Sequence, residues 1–115
     1  MVLLLGRGRQ ARARSMSCQS SEKLRERRET YFSGRVQGVG FRYTARSIAS
    51  RYAVTGFVQN LNDGRVLLVA EGEQRDIDGL LQDLRAEIAC FVRGEQTATL
   101  PAIGEFHDFS ILPTA

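Results

Sequence analysis

Between Thr30 and Tyr52 a β-type run passes into a helical pattern through a string of glycines, and this junction constrains the fold more than any other feature of the chain. Thr30 to Val36 is rich in β-branched and aromatic residues, whereas Phe41, Ala45, Ile48, Ala49 and Tyr52 recur at the spacing of one helix face. Gly38 and Gly40 lie between the two patterns. A strand that runs into a helix cannot pair with the next strand as a hairpin, so the two are expected to be parallel within one sheet. The same junction suits an anion. Glycines let the backbone take positive φ and approach a ligand, and the helix N-terminus that follows presents free N–H groups and the positive end of its dipole. Arg42, in the first turn, is better placed there with a bound anion than without one. On spacing alone, a tight connection with an exposed arginine fits equally well, and the usual P-loop and dinucleotide fingerprints are absent.

The rest of the chain completes a pattern. Ala53 to Gln59 reads as a second strand, Asn60-Leu61-Asn62-Asp63-Gly64 as a turn and Arg65 to Glu71 as a third strand, together a β-hairpin. From Glu73 to Cys90 a second helix is expected, with Ile77, Leu80, Leu81, Leu84 and Ile88 on one face. Gly79 inside it costs roughly 1 kcal/mol relative to alanine, which points to close packing on the sheet. Thr97 to Leu100 is β-prone but cut by Pro101, which suits an edge strand or a loop. Phe106 to Leu112 reads as the last strand, with Phe109 and Ile111 on one face. The order β-α-β-β-α-β predicts an α+β, ferredoxin-like sandwich, with two helices packed on one face of a mostly antiparallel sheet. Such a fold hosts enzymes, regulatory domains and RNA binders alike.

Composition removes several classes. The 115 residues, 43% of them hydrophobic, suit one domain with one core. Of the net charge of +3, residues 1–21 supply four arginines and no acid, which leaves 12 bases against 13 acids in the rest. The folded part is therefore not a basic nucleic-acid module. An RNA-recognition sheet would also need stacking aromatics, and Arg65 to Glu71 has none. Cys18 and Cys90 have no C-x-x-C spacing, so neither a zinc site nor a disulfide is expected, and both read as reduced thiols of a cytoplasmic protein. His107 is the only histidine, a poor basis for a Ser/His/Asp triad, and reads as a strand residue facing water. The apolar Met1 to Leu5 is too short for a membrane anchor. Residues 6–21 have the composition of a disordered arm or a transit peptide, and Met16 offers an alternative start. Residues 1–28 are accordingly expected to lie outside the domain, with Glu22 to Glu29 a solvated lead-in and residues 29–115 the folded unit.

Two stretches carry a resemblance. Gly34-Arg35-Val36-Gln37-Gly38-Val39-Gly40-Phe41-Arg42 is similar to the first signature of the acylphosphatase family, G-x-V-Q-G-V-x-F-R, with every fixed position filled. Gly56 to Val66, closing on Gly72, resembles that family's second signature, again at every position. The resemblance covers residues 29–90; beyond Phe91 the chain is longer and less regular than the family's usual short turn into a fourth strand. It implies hydrolysis of the carboxyl–phosphate bond of small acyl phosphates, with inorganic phosphate as product. Arg42 would hold the phosphoryl oxygens and Asn60 would position the attacking water. The backbone amides of Gln37, Gly38, Val39, Gly40 and Phe41 would complete the phosphate site with Arg42, and no metal, cofactor or covalent intermediate is implied. The chemistry fits these residue types. A phosphoryl-transfer transition state is loose, with charge on its peripheral oxygens, and a guanidinium offers them a planar fork of donors at any working pH. Asn60 could otherwise be a turn residue capping the hairpin. A monomer that binds neither nucleic acid nor membrane is expected. The alternative is a non-catalytic module of the same fold that binds a phosphate-bearing ligand or protein. A similar domain also opens the large hydrogenase-maturation carbamoyltransferases, whose zinc-binding and transferase parts have no counterpart here.

Overall fold

The computed structural model, which describes residues 25–115, opens on strand β1 (Arg25–Gly34) of a five-stranded sheet. The expectations for Cys18 and for the N-terminal arm lie outside the described residues. After β1 come α1 (Phe41–Ala49), β2 (Val54–Asn60), β3 (Val66–Glu73), α2 (Gln74–Ile88), β4 (Val92–Pro101) and β5 (Phe109–Leu112). The sheet order is β4-β1-β3-β2-β5. β1 pairs antiparallel with β3 and β4, β2 antiparallel with β3, and β5 parallel with β2. Since β1 and β2 both oppose β3, they run in the same direction, as the α1 crossover requires. Both helices cover one face, the ferredoxin-like arrangement.

The core lies between that face and the helices. Phe41, Ala45, Ile48 and Ala49 from α1 and Ile77, Leu80, Leu81, Leu84 and Ile88 from α2 meet Phe32, Val58, Val66, Leu68 and Ala70 from the strands, all of them buried. Burial of a leucine-sized side chain contributes about 1.5–3 kcal/mol, so the two helical stripes are the main source of stability. Gly79 has a different partner from the one expected. A methyl group there would come within 2.4 Å of Tyr52 Cε1, so the glycine admits the ring that follows α1 rather than the sheet.

Two expectations are corrected, and the open choice between an edge strand and a loop before Pro101 is decided. The strand begins at Arg25, ahead of the boundary expected at Glu29, and Arg25 to Glu29 are paired with β3 rather than forming a solvated lead-in. The fourth strand is Val92–Pro101, antiparallel to β1 at the sheet edge, where Pro101 can end the ladder without a donor. The C-terminal run is a fifth strand at the opposite edge, and His107 is an exposed residue of the bend before it.

Because β4 and β5 occupy opposite edges, residues 102–108 must cross the sheet, and they do so over the face without helices. Glu71 anchors this strap: its carboxylate accepts the N–H groups of Ile103 (3.1 Å) and Gly104 (3.0 Å) and faces the Arg27 guanidinium at 3.4 Å. Burial pushes the Glu71 carboxyl up, yet the two amides and Arg27 outweigh it and hold the group below its ordinary range. Phe106 packs edge-on to Phe57, with the Arg27 guanidinium over its ring. Asp108 O accepts the Gly56 N–H at 2.8 Å. The strap thus closes the end of the sheet remote from the hairpin and leaves the carboxyl ends of β1 and β2 for the site.

Candidate functional site

At the carboxyl end of β1 the chain must leave the sheet and enter α1 within six residues, and two left-handed glycines make this possible. Gly38 and Gly40 both have φ of 80°, and nothing lies within 4 Å of where either Cβ would be. Backbone angle rather than crowding therefore demands glycine, since a left-handed residue with a side chain costs roughly 1–2 kcal/mol. Gly40 is the residue at the head of α1 and supplies no side-chain cap, and the first turn contains no acid. The helix's first hydrogen bond runs from Thr44 N to Gly40 O at 3.0 Å, which leaves the amides of the first turn without intrahelical partners.

Two contacts fix this loop. Phe41 is buried and its ring lies 5.0 Å from that of Phe32, so the side chain belongs to the core and only its backbone can serve a ligand. Gln37 reaches across to the hairpin: its Nε2 donates to Leu61 O at 2.7 Å and to Arg65 O at 2.9 Å. With both amide hydrogens committed, the Gln37 side chain is a buckle between the loop and the turn after β2. Val39 packs partly against the core.

Asn60 is the last residue of β2, not part of the turn, and is 9% exposed. Its carbonyl accepts the Ala115 N–H, and the Asn62 N–H donates to Ala115 O, so the strand end is held from the β5 side as well. Its side-chain Oδ1 is buried and has no hydrogen-bond partner. An unpaired buried acceptor costs about 1–3 kcal/mol, which is tolerable where a ligand or water completes the bond. Asn60 lines a cleft of ≈ 100 Å³ together with Val36, Gly38, Gly40, Phe41, Arg42 and Tyr43. The structure thus brings Arg42, Asn60 and the two glycines to one cavity, although Arg42 and Asn60 are 18 positions apart in the chain. Gln37 and Val39 stand beside that cavity without lining it. Sequence reasoning missed Tyr43, an exposed aromatic whose position in the first turn was the available signal, and the buckle of Gln37, whose partners are backbone carbonyls without any sequence signature.

The acylphosphatase family pattern matches residues 28–111, which spans both the glycine loop and the hairpin. The chain belongs to the acylphosphatase family. An acylphosphatase of Methylococcus capsulatus (strain Bath) is 43% identical over 81 residues, covering 70% of this chain and 88% of that protein. Among solved structures, an acylphosphatase from Coxiella burnetii superposes with a TM-score of 0.68 at 30% identity, covering 83% of this chain and all of the other. Full-length HypF, crystallised in a phosphate- and nucleotide-bound form, matches with a TM-score of 0.67 at 29% identity, through 78% of this chain but 12% of HypF. Both acylphosphatase relatives are matched over nearly their full length, so the resemblance is to whole acylphosphatases and not only to a domain within a larger protein.

Proposed function

We propose that this acylphosphatase hydrolyses the carboxyl–phosphate bond of small acyl phosphates, with the cleft between the glycine loop and the end of β2 as its active site. The observation that carries this reading is the convergence of Arg42, the uncapped first turn of α1 and Asn60, whose Oδ1 has no protein partner, on one cavity. The Arg42 guanidinium and the amides from Gly38 to the first turn hold the three phosphoryl oxygens, giving fixed donors where charge gathers in the loose transition state. Asn60 Oδ1 accepts a hydrogen bond from a water and orients its lone pair toward phosphorus. As the water's oxygen bonds to phosphorus, the bond from phosphorus to the acyl oxygen breaks and its electron pair leaves with the carboxylate. A carboxylate is a weak base and needs no general acid, and the proton released by the attacking water passes to phosphate or solvent. A neutral carboxamide therefore suffices.

The same reading takes the protein to be a cytoplasmic monomer; no helix among the described residues is long and apolar enough to cross a membrane. Steady-state release of phosphate from acetyl phosphate tests the proposal. Turnover well above spontaneous hydrolysis, persisting with a chelator present, is the expected result, because the charge of the transition state is met by Arg42 and backbone amides. Absence of turnover with retained phosphate binding would favour the non-catalytic module, and trapping a phosphorylated protein would overturn the direct attack by water.

A further inference from the structure

The active-site cleft accounts for only part of an acyl phosphate. The groups lining the ≈ 100 Å³ cleft are those assigned above to the phosphoryl group and the attacking water. An acyl chain longer than acetyl extends beyond them. A second, larger groove of ≈ 350 Å³ starts at Tyr43, the residue that also lines the cleft, and continues along Thr44, Ser47, Ile48, Arg51 and Glu87. Its walls come from α1, the turn after it and the last turn of α2.

Its chemistry is selective. Tyr43, 64% exposed, offers an apolar surface, and Thr44 and Ser47 stand beside it with hydroxyls, while Ile48 at the base is buried in the core. Residues 41–51 hold Arg42, Arg46 and Arg51 and no acid, and the Arg46 guanidinium lies 5.6 Å from the Tyr43 ring. The field along α1 is positive. Arg51 and Glu87 both face the groove, and among the described residues neither has an ion-pair partner. Accepting the cleft as the site of phosphoryl transfer, we propose that this groove is the acyl-group subsite and that it favours acyl chains ending in a second carboxylate, with the chain against the Tyr43 ring and the carboxylate at Arg51. Glu87 opposes that charge and so limits the preference.

Three substrates separate this inference from the reading beneath it: acetyl phosphate, whose acyl group is too short to reach the groove, and the matched pair adipoyl phosphate and hexanoyl phosphate, both of six carbons and differing in the terminal carboxylate. The wild type should show a higher kcat/KM for adipoyl than for hexanoyl phosphate, by about fivefold, as for a favourable exposed ion pair, and the ratio should shrink with salt. In Arg51→Gln the ratio should fall toward one, and in Glu87→Gln it should rise. A wild-type ratio near one with good turnover of acetyl phosphate overturns the subsite and leaves the activity standing. A ratio unchanged in Arg51→Gln, or lowered in Glu87→Gln, also overturns it. No turnover of any of the three overturns both the subsite and the activity.

Discussion

Gln37 joins the two halves of the candidate site. Its two donated hydrogen bonds tie the glycine loop to Leu61 and Arg65, the residues that frame the turn after Asn60. Both carbonyls keep another partner, since Gly64 N–H donates to Leu61 O and Leu61 N–H to Arg65 O. Removing the side chain therefore costs only the net worth of two hydrogen bonds, about 1–3 kcal/mol in all. Catalysis should suffer more, because Arg42 and Asn60 reach the cleft from the two segments that Gln37 joins, and a misplacement of about 1 Å can cost 10²-fold. Gln37→Ala is expected to lower kcat/KM for acetyl phosphate about 10- to 100-fold while the protein remains folded by urea titration. Unchanged kinetics would show that the loop and hairpin hold their relation without the buckle. None of this was legible in the sequence, where Gln37 stands in the family signature as one more phosphate-site residue; its partners lie 24 and 28 residues further on and are backbone oxygens.

At the scale of elements, what the sequence disclosed follows from how local each signal is. The faces of α1 and α2 and the β2–β3 hairpin were legible, because periodicity and turn formers act over a few residues. β4 and the strap were not. Pro101 leaves an edge strand and a loop equally open until its place at the free edge of the sheet is known, and Arg25 to Glu29 looks like a solvated charge run until Glu71 is found buried opposite Arg27. This network makes two predictions. A chain starting at Glu29 loses Arg27 and the first four positions of β1; breaking a buried ion pair costs about 3–5 kcal/mol, so its urea midpoint should fall well below that of a chain starting at Leu24. Equal midpoints would mean that the first four residues of β1 contribute nothing. Glu71 also links the strap to pH. Its folded pKa is depressed below 4.5, so its stabilisation is complete above that value and is lost as pH falls through the lower folded value. Glu71→Gln should be less stable than the wild type at pH 7 and show a shallower loss of stability below pH 4.5, read from thermal melts across pH. A variant with the wild-type slope would place the acid sensitivity in other carboxylates.

For the whole molecule, the division of labour is between two ends of one sheet. The strap and its buried carboxylate close one end, and the carboxyl ends of the parallel strands β1 and β2 bring Arg42 and Asn60 to a common cleft at the other. The central claim gives these two residues different tasks, and one measurement separates them: kcat for acetyl phosphate and the inhibition constant for inorganic phosphate, in the wild type, Arg42→Ala and Asn60→Ala. If Arg42 grips the phosphoryl group before and during the reaction, Arg42→Ala weakens phosphate inhibition as well as turnover, and Arg42→Lys does not restore them because an ammonium lacks the fork of donors. If Asn60 mainly orients water, Asn60→Ala lowers kcat by about 100- to 1,000-fold, or ~2.7–4 kcal/mol, while the phosphate inhibition constant stays near the wild-type value. An Asn60→Ala protein that keeps wild-type kcat, or one that loses phosphate binding while Arg42→Ala retains it, would contradict the account.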